Sequence, residues 1–62
     1  MKYAIIAKDL CGPAYGIGTT EDEARRDAVE AGFPENAGIS VEITESSFQA
    51  IKSGDPDAVE LK

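Results

Sequence analysis

The chain has 62 residues, 12 acidic against 6 basic, no histidine, no tryptophan, one cysteine and a formal net charge of −6. That length holds one small domain over residues 1–62 and excludes a second enclosed core. The charge opposes a nucleic-acid phosphate backbone, and no apolar run approaches the roughly 20 residues that cross a bilayer.

The first element in chain order is a strand over residues 2–8. Tyr3, Ile5 and Ala7 alternate with Lys2, Ala4, Ile6 and Lys8. Both faces carry apolar residues at the centre, which predicts a central strand. Asp9 to Pro13 is a turn broken by Gly12 and Pro13. A short strand, Ala14 to Gly18, should fold back as a hairpin, with Gly16 and Gly18 leaving one face bare. Glycine in a strand marks a bulge or the close approach of another backbone.

Thr20, Glu21, Asp22 and Glu23 then form a capping box. The Thr20 hydroxyl can accept from the Glu23 amide while the Glu23 carboxylate reaches back. Three acids in the first turn suit the positive end of the helix dipole. This helix should run to about Ala31 and stop at Gly32, with Pro34 barring continuation. Glu21–Arg25 and Asp22–Arg26 stand at i,i+4 in the favourable order, each worth ~0.3–0.5 kcal/mol. Its expected buried stripe is Ala24, Ala28, Val29 and Ala31, small enough to lie tight on the first strands.

Phe33 is expected to enter the core from the loop. Residues Ile39 to Thr44 alternate cleanly as a half-buried strand. Residues Glu45 to Ser53 place Phe48 and Ile51 at helical spacing, with Thr44 or Ser46 as cap and Gly54 as stop. Val59 and Leu61 share a face of the tail, which either adds an edge strand or frays. The predicted fold is α+β in two layers, ββαβα with an optional C-terminal edge strand, both helices on one face of a small, mainly antiparallel sheet.

The core candidates are Tyr3, Ile5, Ile6, Ile17, Ala24, Ala28, Val29, Phe33, Ile39, Val41, Ile43, Phe48, Ile51, Val59 and Leu61. At ~1.5–3 kcal/mol for each large apolar side chain, their burial barely offsets chain entropy at this size. A symmetric homodimer through an exposed strand edge is therefore an expectation.

Candidate sites are few. Cys11 sits in the Gly-Pro turn, but Lys8 is the one cation near it in sequence and there is no second cysteine for a redox pair. The Gly16-Ile17-Gly18 run before a helix suggests a phosphate loop, yet its third glycine would fall at Glu21 and three carboxylates open the helix. Asp55, Asp57 and Glu60 match no calcium loop. Without histidine the usual nucleophilic triads are excluded. No cofactor or metal is expected, and Arg25 and Arg26 are flanked by acids rather than set in a nucleic-acid-binding patch.

Residues Asp9 to Gly12, Gly16 to Ala24 and Ala28 resemble the N-terminal domain of HicB-type antitoxins, in which a strand leads through a Gly-containing segment into a Gly-x-Thr-x-Glu-Glu-Ala helix start. The likeness spans residues 3–31. It implies a toxin-binding or dimerising module without catalytic residues, and no binding residue is carried over from it.

The charges are segregated. Residues 1–19 sum to +1, whereas residues 20–62 hold eleven acids against Arg25, Arg26, Lys52 and Lys62. Such an acidic face keeps a small protein soluble as ordinary solvated surface; the sharper reading is that it attracts a basic partner and speeds its encounter. The residues therefore point to a non-catalytic protein-interaction module. Its candidate surface is the helix face of Asp22, Arg26, Asp27 and Glu30 together with the bare strand at Gly16 and Gly18. A start without a secretion signal and an unpaired Cys11 predict a cytoplasmic location. The alternative is a small-molecule binder or thiol-dependent enzyme centred on the Cys11–Gly18 loop.

Overall fold

The computed structural model describes residues 1–9 and 12–62. Its elements run β1 (Lys2–Ile6), β2 (Gly16–Gly18), α1 (Glu21–Glu30), β3 (Ile39–Ile43) and α2 (Glu45–Lys52). The strands form one antiparallel sheet in the order β2-β1-β3. The α+β class and the ββαβα order are those expected. β1 is central because apolar side chains on both of its faces need cover.

That same alternation sorts the core into two. Ala4 faces Ile17 on β2 and Val41 on β3, and Ile6 faces Ile39. These residues pack with Ile43, Phe48 and Ile51, so α2 lies on this face. The opposite face of β1 presents Tyr3 and Ile5, packed with Ala24 and Ala28 of α1. The two helices therefore cover opposite faces of the sheet. This corrects the expected two-layer arrangement with both helices on one side: a strand apolar on both faces cannot bury both against a single layer.

Both helices are punctuated as the local chemistry requires. Thr20 and Thr44 are the N-caps, their hydroxyls accepting from the Glu23 amide at 3.1 Å and the Ser47 amide at 3.0 Å. Both end in a Schellman arrangement. The Gly32 amide donates to Val29 and the Phe33 amide to Ala28; the Gly54 amide donates to Ile51 and the Asp55 amide to Ala50. Gly32 and Gly54 take the required left-handed φ of 102° and 110°. The Glu23 carboxylate reaches one residue further back than a capping box predicts, to Thr19.

The expected stripe on α1 narrows to Ala24 and Ala28; Val29 and Ala31 are exposed. Phe33 also stays at the surface, where its ring stacks on Tyr15 with centroids 4.3 Å apart and planes 6° from parallel. The sheet-facing side of α1 is taken up by the small residues Ala24 and Ala28, and Val29 and Ala31 turn away from it. Arg25 donates to the Ala37 carbonyl, and ion pairs join Lys2 to Glu45 at 3.8 Å and Lys62 to Glu42 at 3.4 Å.

The tail neither frays nor builds a full strand. Leu61 makes a single antiparallel bridge to Ile43 and remains largely exposed. Hydrogen bonds from Thr44 to Glu60 and from Lys62 to Glu42 flank that bridge, while Ala14 donates to Pro56. Residues 55–61 thus run from the start of β2 to the outer edge of β3, with Val59 packed against the α2-side core.

Candidate functional site

The two edges of the sheet are finished differently. At β3, the tail bridge covers the end at Ile43. At β2, no further strand among the described residues pairs with the outer side, and helix side chains take its outward donors. The Ile17 amide donates to Asp27 Oδ2 at 3.0 Å. Since Ile17 pairs with Ala4 across the ladder, an amide turned outward places its carbonyl outward too. Two residues on, the Thr19 amide and hydroxyl donate to Glu23 Oε1 at 3.1 and 2.6 Å. These bonds, from the hydroxyl first and the amide second, hold the Glu23 carboxyl below its ordinary pKa.

An open-sided groove of about 560 Å³ follows this edge. One wall is Glu23 and Asp27 of α1; the other is Phe48, Ile51 and Lys52 of α2; residues 14–19 form the floor. Helices on opposite faces of the sheet are what create it, each overhanging the edge from its own side. Two cations approach the Phe48 ring, with Lys2 Nζ 4.5 Å and Lys52 Nζ 6.0 Å from its centroid.

The structure divides the candidate surface read from the sequence. Asp22, Arg26 and Glu30 lie exposed on α1, as does Asp27, but Asp27 turns its carboxylate to the β2 edge. Gly16 and Gly18 do not present a bare face. Both are buried, because α1 sits directly on them. A Cβ at Gly16 would lie 2.6 Å from the Ala24 carbonyl oxygen and press on the Ala28 amide nitrogen. At Gly18 it would lie 2.6 Å from the Ala24 amide nitrogen. The glycines serve the packing of α1, which is the close approach that glycine in a strand signals.

Glu23, Phe48, Ile51 and Lys52 were not in the candidate surface. Glu23 had a complete local role as a capping residue, and the α2 residues read as core and solvent. Only the tertiary fold brings them beside β2. Of the alternative Cys11–Gly18 site, Cys11 lies outside the described residues, while residues 14–18 line the groove floor. Among the described residues, no three cysteine, aspartate or glutamate side chains gather as a metal site, and Asp55, Asp57 and Glu60 form no such group. No helix among them is long and apolar enough to cross a membrane. No protein-family model, curated protein or solved structure matches the chain.

Proposed function

We propose that this chain is a small, non-catalytic protein-interaction module of the cytoplasm that engages its partner at the β2 groove. One observation supports the reading above others: a strand edge, its outward amides held by the exposed carboxylates of Asp27 and Glu23, lies on the floor of an open groove beside the half-buried side chains of Ile17 and Ile51. The acidic excess of residues 20–62 adds attraction for a basic partner. The likeness of residues 3–31 to HicB-type antitoxin domains implies a module of the same class, toxin-binding or dimerising, and a second copy of the chain is the other occupant to test.

The experiment is capture on immobilised protein at low ionic strength, followed by amide-shift mapping with the captured partner. Retention that salt reverses, with shifts centred on residues 14–19, is the expected result. A chain that retains nothing and sediments as a monomer at high concentration counts against the reading. The groove volume also suits a small molecule, for which ~300–1,000 Å³ is usual. Cys11 reacting with a thiol reagent much faster than free cysteine at neutral pH would favour that reading instead.

A further inference from the structure

We infer that the β2 edge accepts an extended, lysine- or arginine-bearing segment of a partner protein as an added strand, with Asp27 and Glu23 transferring from the chain's own amides to the basic side chains of that segment. The inference rests on the interaction reading and specifies its chemistry.

An incoming strand must find a donor and an acceptor on the edge. Ile17 supplies both, its amide now held by Asp27 and its carbonyl turned outward. Asp27 is an exposed side chain on a helix surface, so a rotamer change releases the amide to a partner carbonyl without disturbing the fold. The same change applies to Glu23 at Thr19. Released carboxylates beside the new strand call for cations, and alternate residues of an added strand point to the two walls of the groove. Side chains directed to the α1 wall meet Glu23 and Asp27; those directed to the α2 wall meet Phe48 and Ile51. The fitting sequence therefore alternates basic and apolar residues.

The groove discriminates against the other occupants. Two copies joined edge to edge would bring two pairs of carboxylates together between chains that each carry −6. An acidic segment meets the same repulsion. Among the described residues lining the groove Lys52 is a cation, and it opposes a basic guest, as does Lys2 beside the Phe48 ring.

The test uses the whole chain and a blocked hexapeptide alternating lysine and valine, with a glutamate–valine hexapeptide as control. The lysine peptide is expected to shift the Ile17 and Thr19 amides and slow their exchange with solvent, while the acidic peptide does neither. Asp27→Asn keeps an acceptor for Ile17 and removes the charge, so lysine-peptide affinity should fall about fivefold, the scale of an exposed charge pair. Lys52→Glu should raise it by a similar factor. Glu35→Gln, in the exposed loop beyond α1 and outside the groove, should leave it unchanged.

Shifts confined to the β3 edge, equal binding of both peptides, or unchanged affinity in Asp27→Asn and Lys52→Glu would overturn strand addition at β2 while leaving an interaction module intact. Dimerisation through β2 would overturn the assigned occupant. Failure of every peptide together with the absence of any captured partner would remove both readings.

Discussion

A methyl group at position 16 has nowhere to go. The atoms it would meet belong to the backbone of α1, at Ala24 and Ala28, and backbone inside a helix cannot step aside as a flexible side chain can. Gly16→Ala should therefore cost about 3 kcal/mol, the upper end for overpacking, read as a fall in the urea midpoint. For 62 residues that is a large share of a total stability of roughly 3–9 kcal/mol. Glu23 shows a different effect at the same scale. Its carboxyl is held below the ordinary value by the Thr19 hydroxyl and amide, so the folded state favours the ionised form. The sign follows from linkage: this contribution is complete above the unfolded pKa and is lost as pH falls through the lower folded value. Glu23→Gln keeps an acceptor but cannot ionise. The stability gap between wild type and variant should close on acidification, measured as urea midpoints across the acid range.

At the level of elements, Ser47 ties α2 to the tail. It is buried, its hydroxyl donates to the Ala58 carbonyl at 2.7 Å, and it accepts from the Glu60 amide at 3.0 Å. Ser47→Ala leaves both backbone groups unpaired, at a cost of about 1–3 kcal/mol. Amide exchange at residues 58–62 should accelerate well beyond that of β1, and uniform acceleration would contradict a role local to the tail. A serine inside a helix reads from sequence as solvated, so this link was not legible. The caps were, because Thr20 and Thr44 act on amides three residues away. α1 was misjudged where its partners are distant. Of the expected stripe of Ala24, Ala28, Val29 and Ala31, Ala24 and Ala28 meet the sheet, whereas placing Val29 in the core requires knowing how far the sheet extends beneath the helix.

Across the whole molecule, the tail substitutes for core that so short a chain lacks. Val59 packs on the α2-side cluster, and the segment around it bonds to Ala14, Thr44 and Glu42. Deleting residues 55–62 should abolish cooperative thermal unfolding, because the remaining sheet loses apolar cover and the bridge at Ile43 together. Retention of a sharp transition would show the tail to be dispensable. The same arrangement sets the two edges apart: the tail closes part of β3, while β2 relies on exposed carboxylates that a competing strand can displace.

What sequence alone determined was local. Helix starts and stops, the three strands, and the central position of β1 all follow from interactions within a few residues or from strict alternation. The alternation of Tyr3, Ala4, Ile5 and Ile6 puts apolar residues on both faces of β1, but the expectation of both helices on one face failed, because which face each helix covers is decided by packing. That depended on where α1 settled, and the absence of Cβ atoms at Gly16 and Gly18 let it settle directly on β2. With α1 there, α2 took the opposite face, and a groove opened between residues more than 20 positions apart in the chain, from Glu23 and Asp27 to Phe48 and Lys52. No local pattern encodes such a site, because its residues are brought together only by packing.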